Sequence, residues 1–101
     1  MMKILLVCSA GMSTSLLVTK MKKAADEKGI DVEIFALSAG EGKKILKDVD
    51  LVLLGPQVRF MKNEFLKLAT VPVDVIDMLS YGRMEGDKVL NHALTLLEQK
   101  Q

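Results

Sequence analysis

Apolar residues in this chain recur in two patterns, short continuous runs and three-and-four spacings, and the two take turns along its length. Residues 3–7 (KILLV) form a continuous apolar run after one lysine, as in a strand buried on both faces of a sheet. From Ser13 the spacing changes. Leu17, Met21, Ala24, Ala25 and Lys28 share one helical face, while Thr19, Lys20, Lys22, Lys23, Asp26 and Glu27 fall largely on the other. Gly29 then supplies a helix stop. Residues 31–37 (DVEIFAL) alternate, with Val32, Ile34 and Ala36 on one face and Glu33 and Phe35 on the other, which predicts a strand near a sheet edge.

A short helix is expected over residues 41–47 (EGKKILK), weakened by Gly40 and Gly42. Residues 49–54 (VDLVLL) are the second strongly apolar strand, closed by the Gly55-Pro56 turn signal. Val58, Met61, Phe65 and Leu68 keep one face and predict a helix over 57–69. A fourth strand is expected over 71–76, with Pro72 near its start, where a missing amide is tolerated. Residues 77–86 (DMLSYGRMEG) read as a loop. A closing helix over 86–99 is predicted from Val89, Leu90, Ala93, Leu94 and Leu97. Four strands separated by helices imply right-handed crossovers and a four-stranded parallel sheet with helices on both faces. Ligands bind such sheets outside the carboxyl ends of the strands, and Cys8 stands at the carboxyl end of the first.

Composition narrows the function. At 101 residues, half of them apolar, the chain is expected to be one domain, 1–101, with one core. Its single cysteine excludes an intrachain disulfide and suits a reducing cytosol. The apolar run after Lys3 is too short for a signal peptide, and no stretch approaches the roughly 18 apolar residues of a membrane span, so a soluble cytoplasmic protein with no membrane insertion is expected. A net charge of +1 supplies no field to draw a nucleic-acid backbone, and with no Trp, one Tyr and three Phe there is no platform for stacking bases. No pair of cysteines or histidines and no carboxylate cluster has ligand spacing, and no GxxxxGK[ST] is present. Neither a metal nor a cofactor is expected.

Cys8 then stands out through its neighbours. By type alone a free cysteine is buried filler. Here it is followed by Ser9, Ala10, Gly11, Met12, Ser13, Thr14 and Ser15, small enough for backbone amides to converge on one point. Gly11 can take a positive φ, and Ser13 or Thr14 can cap the helix that follows. Inward-facing amides at a helix N-terminus bind anions and favour a thiolate, so the pattern points to phosphoryl chemistry at sulfur. Two such chemistries compete. The low-molecular-weight tyrosine phosphatase signature is cysteine, five residues, arginine, then serine or threonine; six residues after Cys8 is Thr14. Without a guanidinium there is no bidentate clamp on a transferring phosphoryl group, which favours a loop that holds phosphate over one that hydrolyses it. Asp74 and Asp77 are candidate acids for the phosphatase alternative. The sole histidine, His92, on the closing helix near Lys88 and Leu96, is expected to be exposed and structural.

The segment KILLVCSAGMSTSLLVTKM resembles the active-site segment of the enzyme IIB component of the bacterial phosphotransferase system, in the lactose, cellobiose and diacetylchitobiose class. VDLVLLGPQV is similar to the third strand and following turn of that class, and VDVIDMLSYGRMEG to its fourth strand and the loop after it. The resemblance covers essentially the whole chain. It implies a fold similar to the low-molecular-weight tyrosine phosphatases and a relay. Phosphohistidine on enzyme IIA donates to the nucleophile Cys8, which passes the phosphoryl group to a β-linked disaccharide bound by the membrane-embedded enzyme IIC. The amides of residues 9–15 would hold the phosphoryl oxygens, with the hydroxyls of Ser13, Thr14 and Ser15 as further donors, and Tyr81 matches a tyrosine at the rim of the loop. Met12 is a candidate for partner docking, with a place in the core as the alternative. A cysteine-dependent phosphatase or arsenate reductase, and a regulatory binding module, remain the competing classes.

Overall fold

The first apolar run becomes the centre of the sheet. In a computed structural model describing residues 1–9 and 11–100, and the side chains of all of these except 11–13 and 100, β1 (Met2–Cys8) pairs in parallel with β2 (Val32–Ser38) on one side and β3 (Leu51–Leu54) on the other. β4 (Val73–Val75) pairs with β3, so the strand order is β2-β1-β3-β4 and all pairs are parallel. Among the described residues five α-helices connect or close the strands: α1 (Gly11–Lys28), α2 (Ala39–Lys44), α3 (Lys62–Leu68), α4 (Met78–Gly82) and α5 (Gly86–Lys100). Two 3₁₀ turns, Leu46–Asp48 and Pro56–Met61, flank β3.

The continuous apolar runs are explained by two cores. Ile4, Leu6, Leu51 and Leu53 face α1 and α5, where they join Leu17, Met21, Val89, Leu90 and Ala93. Their neighbours Leu5, Val7, Val52 and Leu54 face the other way, against Phe65 of α3, Leu46 and Val58. A strand with covers on both sides has no position left for a polar residue, which is why the alternation disappears from β1 and β3 and survives on the edge strand β2. Each of the fully buried large side chains among these contributes roughly 1.5–3 kcal/mol relative to exposure.

Two glycines permit close approach. At Gly42 a Cβ would sit 3.3 Å from both Leu5 Cδ2 and Val7 Cγ2, so α2 lies directly on β1. At Gly86 a Cβ would stand 2.6 Å from the backbone carbon of Lys20, so the first turn of α5 touches the main chain of α1.

Three expectations change. The predicted helix over 57–69 is divided: Pro56–Met61 is a 3₁₀ turn, Val58 has non-helical φ/ψ (−117°, 21°), and α3 starts at Lys62. The Val58 amide donates to Gly55 O at 3.0 Å, a three-residue closure that turns the buried Val58 side chain into the second core. The short helix expected over 41–47 is α2, which starts earlier because Ser38 caps it, and then a 3₁₀ turn. The predicted loop 77–86 contains α4, started by Asp77, whose carboxylate accepts from the Ser80 amide at 3.0 Å.

Candidate active site

The site is assembled where the central strand ends. Cys8, the last residue of β1, is 4% exposed, and its register partner across the sheet is Ser38, the last residue of β2. The thiol faces that partner strand, with Sγ 3.9 Å from Leu37 O. It opens into a cavity of about 210 Å³ lined by Cys8, Ser9, Ser15, Ala36, Leu37, Ser38 and Glu41. Among the described residues that line it there is no lysine or arginine.

The helix that follows starts immediately after the strand. α1 begins at Gly11, so its unpaired N-terminal amides are adjacent in sequence to the thiol, a setting that favours anions. Ser9 and Ser15 are exposed, and Ser15 lines the cavity. Ala10, and the side chains of Gly11, Met12 and Ser13, lie outside the described residues, so the expectations attached to them, including docking through Met12, do too.

Thr14 and Tyr81 are joined. Thr14, the position at which a phosphatase signature would carry arginine, is fully buried, and its Oγ1 lies 2.9 Å from Tyr81 Oη. Tyr81, expected at the rim, is itself only 6% exposed and packs in the α1/α5 core. α4 brings it there: the Asp77 cap starts the helix, the Tyr81 amide donates to Asp77 O at 2.9 Å, and the ring edge passes beside Gly55 at the end of β3. The Thr14 hydroxyl is therefore engaged on the core side of α1, away from the exposed Ser15.

Neither arginine lines the cavity; Arg59 Nη1 donates to Pro56 O at 2.9 Å. The candidate acids Asp74 and Asp77 are not among its lining residues. Asp74 lies on the edge strand β4, where His92 Nε2 stands 3.0 Å from its Oδ2 and Lys62 Nζ 3.3 Å from its Oδ1. Burial pushes the Asp74 carboxyl up, but the Val75 amide, His92 and Lys62 together hold it below the usual value. The Ser80 amide foremost holds Asp77 below the usual value too, against a smaller effect of burial. His92 is exposed as expected; its pairing with Asp74 is a tertiary contact between α5 and β4. Among the described residues no group of three or more His, Cys, Asp or Glu side chains could hold a metal ion, and no helix is long and apolar enough to cross a membrane.

Ala36, Leu37, Ser38 and Glu41 line the cavity without having been anticipated, and Glu41 is the charged one among them. Its signal was present as S-A-G-E at 38–41, the pattern of a capping box, in which a serine cap and a glutamate three residues on hold each other. Only the pairing of β2 with β1 brings that box beside the thiol.

Known proteins match this arrangement over nearly the whole chain. The family described as PTS system, Lactose/Cellobiose specific IIB subunit, matches residues 3–92. The galactose-specific EIIB component of Lactococcus lactis subsp. cremoris is 54% identical over 93% of this chain and 94% of its own. The solution structure of a cellobiose-specific IIB component from Borrelia burgdorferi is 39% identical, covers 99% of this chain and 94% of its own, and superposes with a TM-score of 0.82. A shorter match, 28% identical over 64% of this chain and 11% of the other, is to a lactose-specific EIICB component of Lacticaseibacillus casei. YwlE from Bacillus subtilis, at 15% identity over 97% of this chain and 99% of its own and a TM-score of 0.63, shares the fold, that of the low-molecular-weight tyrosine phosphatases. Sequence match and sheet topology agree, and the chain belongs to the lactose/cellobiose-specific IIB subunits of the phosphotransferase system.

Proposed function

We propose that Cys8 is the phosphoryl carrier of this subunit. IIB components are phosphotransferase domains. In the first step a phosphohistidine of enzyme IIA is attacked by the Cys8 thiolate: the N–P bond breaks, the S–P bond forms, and the imidazole leaves. In the second step the phosphoryl group passes to a hydroxyl of a β-linked disaccharide held by the membrane component IIC, and the thiolate is restored. The amides of residues 9–15, around the start of α1, hold the phosphoryl oxygens, Cys8 is the nucleophile, and the relay runs on the cytoplasmic side of the membrane.

The observation that carries this reading is the placement of Cys8 at the carboxyl end of the central strand, in a cavity beside the start of α1 whose described lining has no guanidinium. Such a site neutralises a phosphoryl group modestly, through amides, and lacks the clamp that drives hydrolysis. The buried Thr14 at the arginine position of the phosphatases supports the same reading. The EIICB name of the Lacticaseibacillus casei relative supports IIC as the acceptor-side partner.

Intact mass tests the proposal. The purified protein is incubated with phosphoenolpyruvate, the general phosphotransferase proteins and a panel of enzyme IIA partners, alongside Cys8→Ser. A gain of one phosphoryl group in the wild type alone is expected. No gain with any partner, together with turnover of an aryl phosphate by the protein alone, would make Cys8 the nucleophile of a phosphatase instead.

A further inference from the structure

We propose that Glu41 is the general base that takes the proton of the sugar hydroxyl when the phosphoryl group leaves Cys8, a role that rests on the carrier reading above. Ser38, the register partner of Cys8, holds the carboxylate in two ways: its Oγ accepts from the Glu41 amide at 3.3 Å and donates to Glu41 Oε1 at 3.0 Å. The carboxylate is thereby fixed one helical turn from the position opposite the thiol, on the wall of the same cavity of about 210 Å³. Among the described residues Glu41 makes no ion pair, and no cation lines the cavity to offset it.

A carboxylate beside a site for a phosphoryl dianion costs Coulomb energy, and helix capping does not require it, because glutamine completes a capping box equally well. The charge has a use in only one of the two half-reactions. When Cys8 attacks phosphohistidine, the leaving imidazole can itself take up a proton, and no base is needed. When the acceptor is an alcohol, its O–H proton must go somewhere as the new O–P bond forms and the S–P bond breaks. The S–P electron pair returns to sulfur as thiolate, the proton goes to the Glu41 carboxylate, and the total charge is unchanged. The protonated Glu41 then loses its proton to water before the next turnover.

Glu41→Gln separates the half-reactions while keeping the capping box. In the first assay the rate of phosphocysteine formation from phosphorylated enzyme IIA is followed by intact mass. In the second, isolated phosphoprotein is mixed with membrane vesicles carrying the partner IIC and cellobiose, lactose or mannobiose, and its discharge is followed. The variant is expected to be phosphorylated at least as fast as the wild type and to discharge roughly 100-fold more slowly into the sugar the wild type uses. Glu41→Ala with added formate provides a second measurement, in which partial recovery of discharge is expected. Discharge by Glu41→Gln at the wild-type rate overturns the role of Glu41 and leaves the carrier reading standing. Equal slowing of both half-reactions, with a lowered unfolding midpoint, overturns it in favour of a purely structural glutamate. A wild type that forms no phosphocysteine, or discharges it into none of the three sugars, removes the carrier reading and the base with it.

Discussion

Tyr81 Oη and Thr14 Oγ1 lie 2.9 Å apart, joining the short helix after β4 to the first turns of the helix after β1 across 67 residues of sequence. Thr14 is fully buried and Tyr81 nearly so, so this contact forms in a region without water to replace it. Tyr81→Phe removes one partner and leaves the threonine hydroxyl underserved. A loss of about 1–2 kcal/mol in urea unfolding is expected, with an unchanged denaturant slope. Faster amide exchange in the first turns of α1 is the accompanying sign, because α4 no longer tethers them.

Gly86→Ala is expected to destabilise more. The added Cβ would meet the carbonyl carbon and Cβ of Lys20 and the amide nitrogen of Met21 at 2.6–2.7 Å, and two of those atoms are main chain that cannot rotate away. Relief requires α5 to move off α1 and opens the core around Leu17, Met21 and Leu90. A loss of roughly 3 kcal/mol by chemical unfolding is the expected result, against the gain in helix propensity that alanine would show at an exposed site.

Ser38→Ala tests the tie that holds Glu41. Both hydrogen bonds between Ser38 and Glu41 pass through the Ser38 hydroxyl, and α2 has only six residues over which to compensate. A cost of about 1 kcal/mol is expected in urea unfolding, with helix-to-sheet packing around Gly42 retained.

Acid should weaken the fold in a defined window. Burial disfavours the charge of Asp74, but the Val75 amide, His92 and Lys62 outweigh it, and the Ser80 amide holds Asp77 in the same direction. Folded carboxyls that titrate below the usual value of 3.8 contribute stability that is complete above that value and is lost as the pH falls below it through the folded value. The thermal midpoint contributed by these groups should therefore be level above about pH 5 and fall below pH 3.8, and Asp74→Asn should fall less steeply there.

The elements that were legible in sequence are those whose pattern has a single physical cause. The runs at 3–7 and 49–54 are apolar without interruption because both faces of β1 and β3 are covered, and the alternation at 31–37 marks β2 as an edge. α1 and α5 each carry an apolar stripe long enough to read. The divided segment at 56–68 was not legible, because Val58 keeps the helical spacing while its backbone closes on Gly55. α4 was missed because five residues are too few for periodicity; only the Asp77 cap announces it.

The candidate site divides in the same way. Cysteine followed by small residues, at the end of an apolar strand and before a helical stripe, is a local arrangement, and local backbone preferences are enough to place a thiol beside helix amides. The family resemblance likewise sits in contiguous segments. The cavity around that thiol is not local. Glu41 reaches it because β2 pairs with β1 in the register that sets Ser38 against Cys8, and Tyr81 reaches Thr14 because α4 follows β4 back toward α1. Sequence alone determined the alternation of strands and helices and the identity of the nucleophile candidate, since both depend on neighbours in the chain. Tertiary structure alone decided which carboxylate lines the cavity of the thiol and which hydroxyl is bonded within the core, since those follow from strand register and helix packing, which bring together residues that the chain keeps tens of positions apart.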